Sequence, residues 1–210
     1  MKTIGTIFKS VVAMVAVMVM ASCSEDVDKL TGSWISGETR LQLDEANLAD
    51  CRTTSRLTFT PDKNDSRSGK IDIVTDVVID DALPQVDSLT APYEITVVGQ
   101  ATISGKYEWA KDEDDEIVVS LDNSTLRVVV DPEGVQLVSN ALTQTETPEV
   151  VQLNQTALAG FYQRQVKRAI HTVYDRYTKI EDMKFEKTIM SCEIGNQDYI
   201  FRRVGSASVE

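Results

Sequence analysis

Imidazole and thiol groups are scarce in this chain. The 210 residues contain one histidine, His171, and three cysteines, Cys23, Cys51 and Cys192. None falls in a C-x-x-C, an H-E-x-x-H or a mixed Cys/His cluster, so a structural zinc site and a zinc hydrolase drop out as readings. There is no G-x-S-x-G elbow, which removes the usual serine hydrolases. Asp62, Asn64 and Ser66 alternate as oxygen ligands would in a calcium loop. Arg67 stands where the EF-hand bend needs glycine, and Ile73 holds the twelfth position, so no metal is expected there. Positive charge is also short: 21 Lys and Arg against 33 Asp and Glu leave a net charge of −12. Such a chain is repelled by nucleic acid, and no nucleic-acid partner is expected. The longest apolar run, Val11 to Ala21, falls well short of the roughly 20 residues that span a bilayer. No repeat of solenoid or propeller length occurs, and nothing implies a cofactor.

What is present begins at the N-terminus. Lys2 and Lys9 precede the apolar run, the order of a cleaved export signal. The run ends in Met20-Ala21-Ser22-Cys23, which resembles the lipobox of bacterial lipoproteins, with Met where Leu is commonest. The resemblance implies that Cys23 is lipidated, that residues 1–22 are removed, and that the membrane is a partner through Cys23. Two or more acyl chains would hold the protein stably, at about 0.8 kcal/mol per buried methylene. Losing the leader removes two lysines, so −12 becomes −14, and 188 residues remain, enough for one domain with a sizeable core. Residues 23–30 form an acidic tether. Ser24-Glu25-Asp26 resembles the acidic tripeptide that sends Bacteroidetes-type lipoproteins to the outer face of the outer membrane; a plain solvated linker is the alternative. The expected location is the outer membrane, lipid-anchored, with the surface and the periplasmic face both left open.

Residues 31–205 read as one mainly β domain. Leu41 and Leu43 alternate with polar neighbours, as do Leu57 and Phe59, and then Ile71, Ile73, Val77 and Ile79. Pro61 to Gly69 reads as a hairpin loop, and Asp81 to Pro92 as an irregular connection. Further alternating runs cover 93–97, 101–109, 117–121, 126–130 and 135–138, with turns at Asp112–Glu116, Asp122-Asn123 and Asp131–Gly134. That is a meander of hairpins, a barrel or a sandwich. Ser139 to Gln155 reads as a loop. Leu158, Phe161, Tyr162, Val166, Ala169, Ile170, Val173, Tyr177 and Ile180 then recur at three and four, predicting an amphipathic helix over about 156–181, capped by Asn154 or Thr156. Two strands close the chain, with Met190, Cys192 and Ile194 inward in the first and Tyr199 and Phe201 inward in the second. Cys51 is placed in a polar loop and Cys192 in a strand, so a bridge between them is not favoured.

Gly32-Ser33-Trp34 at the head of the first strand resembles the G-x-W signature of lipocalin-like barrels. A meander with one late helix is similar too. The resemblance implies that Trp34 seals the closed end of the barrel and that a basic residue of the last strand, Arg203, lies over it. It departs from the family in having two strands after the helix and no second, mid-chain motif. If a ligand occupies the barrel, Tyr107, Trp109, Tyr199 and Phe201 are the candidate lining. Asp87-Ser88-Leu89 resembles an O-glycosylation signal of exported Bacteroidetes-type proteins, with Ser88 as acceptor. Arg164, Lys167, Arg168, Arg176 and Lys179 put positive charge on the helix of an acidic protein, either a solvated face or a dock for an anionic glycan, lipid or acidic partner. His171 reads as a boundary residue, and no catalytic residue is proposed. The functional expectation is a non-catalytic, lipid-anchored envelope protein that binds a small or apolar ligand or serves an envelope protein as accessory subunit. A surface adhesin or structural β-sandwich without a cavity is the alternative. An enzyme acting on carbohydrate comes last.

Overall fold

The structure, a computed structural model, describes residues 28–43, 49–83, 93–111, 113–139 and 148–205. The leader, Cys23, the acidic tripeptide and Ser88 lie outside the described residues. The elements are β1 (Gly32–Ser36), β2 (Thr39–Arg40), β3 (Asp50–Asp62), β4 (Asp65–Leu83), β5 (Tyr93–Trp109), β6 (Ile117–Ser139), α1 (Pro148–Tyr174), β7 (Lys179–Glu186), β8 (Ile189–Glu193) and β9 (Asp198–Arg203). Among the described residues no helix is long and apolar enough to cross a membrane.

All strands belong to one antiparallel sheet, in the order β1-β9-β8-β7-β6-β5-β4-β3-β2. β1 also pairs with β3, Trp34 opposite Leu57, while its other edge pairs with β9, Trp34 opposite Arg203. Eight strands therefore form a ring. The narrowest seam is β6 to β7, where the paired residues are Ile117 with Ile180 and Val118 with Lys179. Two further bonds reinforce it, from Val119 N to Thr178 O and from Met183 N to Asp115 O.

The long strands β3 to β6 reach well beyond the short strands that complete the ring. The overhanging half of the sheet would expose Val77, Ile79, Ile95, Val97, Val130 and Val135, all of which are buried. The helix covers them. Tyr162, Val166, Ile170 and Tyr174 recur every fourth residue and are at most 3% exposed; each such burial contributes about 1.5–3 kcal/mol. Hydrogen bonds fix the helix position: Gln155 Nε2 donates to Val135 O at 2.8 Å, Tyr162 OH to Asp81 Oδ2 at 2.6 Å and Tyr174 OH to Thr75 Oγ1 at 2.9 Å. Helix numbers rise as β4 numbers fall, so α1 runs antiparallel to β4.

Several expected boundaries are corrected. The runs at 117–121, 126–130 and 135–138 are one strand, β6, and its apparent turns are excursions. Ser104 pairs with Asp122 and Thr102 with Arg127, then Gly99 with Val130 and Val97 with Val135. At each excursion four residues of β6 face one of β5. Both start with an aspartate that folds back: Asp122 Oδ1 accepts from Ser124 N at 2.9 Å, and Asp131 Oδ1 from Glu133 N at 2.9 Å. Thr125 Oγ1 replaces the missing ladder partner by accepting from Ser104 N at 2.9 Å. Such bulges bend the sheet. At Gly105 the bend brings Leu121 Cα to 2.8 Å from where a Cβ would stand, so a larger residue does not fit. The expected loop at Pro61–Gly69 is mostly paired strand, with Lys63 and Asn64 between β3 and β4. Cys51 lies in β3, 2% exposed, rather than in a loop.

The helix is Pro148–Tyr174, not 156–181. Proline suits the first helical position because its missing N–H needs no partner there. Asn154 and Thr156 therefore lie inside the helix and cap nothing, and the loop expected to reach Gln155 ends earlier. After Tyr174 the chain tightens, with Arg176 N bonded to Val173 O at 3.1 Å and Tyr177 N to Tyr174 O at 3.0 Å. Tyr177 and Ile180 continue the apolar spacing only by coincidence. Ile180 belongs to β7, so three strands, not two, follow the helix.

Candidate functional site

The ring interior is filled. Trp34, Phe59, Tyr107, Trp109 and Phe201 are each at most 3% exposed. Phe59 meets Tyr107 edge-on, centroids 5.4 Å apart, and Trp34 meets Phe185 at 5.8 Å. A ring of about eight strands is only wide enough for its own side chains or one small ligand, and here aromatic side chains take the space. The expected lining is thus corrected: Tyr107, Trp109 and Phe201 are core residues and line none of the clefts described here. Trp109 Nε1 is buried without a partner. Tyr199, half-buried and stacked on Phe201 at 6.0 Å, does face a cleft.

Where β1 meets β9, Trp34 and Arg203 come together. The guanidinium carbon of Arg203 lies 5.0 Å from the indole centroid. Arg203 Nη2 donates to Lys29 O and Thr31 O, each at 2.7 Å, and Trp34 Nε1 donates to Leu30 O at 2.8 Å. Residues 29–31 are therefore held to β1 and β9 by one indole and one guanidinium.

The open feature is a groove beside the helix. β1 pairs with β9 only from Trp34 to Ser36; the chain then leaves β9 and joins β3, Thr39 opposite Thr53. Between the departing 36–41 segment and Gln197–Ile200 lies a cleft of about 420 Å³, floored by Ile170, Val173 and Tyr177. A second cleft, about 660 Å³, adjoins it between residues 40–43 and the helix and shares Arg40, Leu41, Val173 and Arg176 with the first. Both volumes lie in the range of small-molecule sites.

Local structure places the charged side chains. Arg40 is held near Asp50, 3.6 Å away, with its side chain largely exposed. Arg176 follows the helix, and Gly195 makes room for its stem: a Cβ there would sit 2.8 Å from Arg176 Cβ, and Gly195 has a φ of +57°. Arg176 Nη1 donates to Gln197 Oε1 at 3.3 Å. Glu38 lines the first cleft, but its carboxylate is 3.8 Å from Arg52 Nη1, and Arg52 also forms an ion pair with Asp80.

Of the five basic residues expected on the helix face, Arg168 and Arg176 line the groove. Lys179 does not belong to the helix: it sits in β7, 2.8 Å from Glu116 Oε1. That bond holds the Glu116 carboxyl below the usual carboxylate range. Glu116 is buried, so the turn at 112–116 is not wholly solvated. It edges an acidic hollow with Glu113, Asp115, Glu181, Asp182 and Glu193. Among the described residues no three His, Cys, Asp or Glu side chains are grouped to hold a metal. His171 Nδ1 faces Asp175 Oδ2 at 3.1 Å on the surface. Cys51 and Cys192 are unbridged and buried.

Sequence reasoning missed Arg40, Gln165 and Tyr177 as groove residues. The available signal was Arg40-Leu41-Gln42-Leu43, an alternation whose leucines are only 8% and 7% exposed although only Thr39–Arg40 pairs as strand. No protein-family model, curated protein or solved structure matches the chain.

Proposed function

We propose that this chain is a lipid-anchored, non-catalytic envelope protein that binds a small ligand in the groove between α1 and residues 36–43. The groove carries the reading: two adjoining clefts share a wall and are lined by apolar, hydroxyl, amide and charged side chains together. Anchoring through Cys23 is supported by the lipobox-like tetrapeptide, and display at the outer membrane by the acidic tripeptide Ser24-Glu25-Asp26. The filled ring moves the ligand from inside the barrel to its flank and favours a partly polar ligand over a wholly apolar one. The Trp34–Arg203 contact supports the likeness to lipocalin-like barrels.

Native mass spectrometry of the protein purified from its own host tests the binding reading. Retained mass that disappears in Val173→Trp, which fills the shared wall, supports it; retained mass indifferent to that change refutes it. Metabolic palmitate labelling of the wild type and of Cys23→Ala tests the anchor. A second reading, a structural or adhesive envelope subunit without a ligand, draws on the packed interior around Tyr107, Trp109 and Phe201; a clean mass of the bare chain favours it.

A further inference from the structure

We infer that the helix-side cleft takes a hydroxylated oxyanion, a sugar acid or a sugar carrying phosphate or sulfate. This rests on the groove being the binding site. The cleft is lined by Arg40, Arg168 and Arg176, and among the described residues no carboxylate lines it, although the chain carries 33 acidic residues against 21 basic ones. Arg168 makes no side-chain hydrogen bond or ion pair among the described residues. The last turns of the helix point negative dipole toward this end, equivalent to about half a charge. Three guanidiniums exceed that even with Asp50 3.6 Å from Arg40, and each offers a planar fork suited to carboxylate, phosphate or sulfate.

The hydroxyl requirement comes from a different atom. Gln165 lines the same cleft, and its Oε1 is buried without any donor. An orphaned buried acceptor is costly, and a turn of the amide toward the cleft would let a ligand O–H beside the arginines supply what it lacks. Gln42 and Thr172 add further polar groups along the wall. A bare anion would satisfy the arginines and leave Gln165 unpaired; a neutral sugar would do the reverse.

Chemical-shift titration of the isotope-labelled full chain in neutral detergent tests this, with glucuronate, glucose 6-phosphate and glucose 6-sulfate as probes. Methyl glucoside and inorganic sulfate, an anion without an O–H, are the controls, and comparison among the three charged probes identifies the preferred anion. The charged sugars should bind at least about fivefold more tightly than methyl glucoside, the size of one charge at contact distance in water. Arg168→Gln and Arg40→Gln should each lose about fivefold. Binding should weaken as salt rises from about 0.1 M to 1 M, where the screening length falls from about 10 to 3 Å. Gln165→Leu should weaken the charged sugars and leave inorganic sulfate unchanged. Equal binding of methyl glucoside and the charged sugars would overturn the anion requirement while leaving the groove intact. Binding of inorganic sulfate equal to that of the sugars would overturn the hydroxyl requirement. No binding of any probe at millimolar concentration overturns the inference; the native mass experiment with Val173→Trp then decides separately whether the groove reading survives.

Discussion

Removing Arg203 loosens the seam between β1 and β9, and the structure sets the size of the effect. The guanidinium lies 5.0 Å from the Trp34 ring and donates twice, to Lys29 O and Thr31 O. A partly exposed cation over an indole is worth about 0.5–1 kcal/mol. Each hydrogen bond to a carbonyl that water can also reach adds about 0.5–1 kcal/mol net. These contributions share one side chain and do not simply add, so Arg203→Met should cost about 2 kcal/mol. For a domain of this size that lowers the melting midpoint by about 4–8 °C. Urea unfolding followed by tryptophan fluorescence measures it, with an unchanged slope expected because the surface exposed on unfolding stays the same. Arg203→Lys should recover less than half, since an ammonium cannot span two carbonyls as a planar fork does. A double-mutant cycle with Trp34→Leu should return a coupling of at least about 0.5 kcal/mol. An Arg203→Met protein within about 0.5 kcal/mol of wild type, the range of an ordinary surface change, would refute the claim that this contact fastens the ring.

Thr75, fully buried, accepts from Tyr174 OH and shares a 2.9 Å bond with Ser55 Oγ; Thr75→Val should cost about 2 kcal/mol in urea unfolding by leaving a buried phenol unpaired, and a neutral result would mean the phenol finds another partner. Burial pushes the Cys51 and Cys192 thiols up to about 12, so alkylation at pH 8 should modify both in denaturant and neither in the native protein, and fast native labelling would contradict the fold around β3 and β8. The Lys179 bond lowers the Glu116 pKa in the folded state, so its stabilisation is present above the unfolded value of about 4.3 and is lost as pH falls. The stability gap between wild type and Lys179→Met should accordingly shrink from pH 7 to pH 3.5 in parallel urea titrations; a constant gap would show that the carboxylate is not the partner that matters. Gly195→Ala should displace the Arg176 stem and strain a positive-φ position, seen as altered shifts at Arg176 and Gln197 in NMR spectra; unchanged shifts would remove Gly195 from the account of the groove.

Period two was enough to read most strands, because facing inward or outward is a local property of alternate residues. It broke in β6 for a reason visible in hindsight. Val119 and Leu121 alternate on odd numbers, Val128 and Val130 on even numbers, and Val135 and Leu137 on odd numbers again. A turn and a bulge both change that parity, so the pattern alone could not say whether the chain reverses or merely bows out. Apolar spacing likewise carried the helix past its end, since Tyr177 and Ile180 are buried by other elements. The Trp34–Arg203 pairing came from likeness to a family, because nothing local links residues so far apart.

The sequence by itself determined the mainly β class, the late helix with its apolar stripe, and a net charge of −12. All of these follow from neighbours along the chain. Only the tertiary structure decided that β1 pairs on both edges and closes the ring, that aromatic side chains fill it, and that a groove opens beside the helix. That groove draws residues from 36–43, 165–177 and 197–200, which meet only because β1 leaves β9 for β3 after Ser36. A site made of such distant segments has no signature in any one of them.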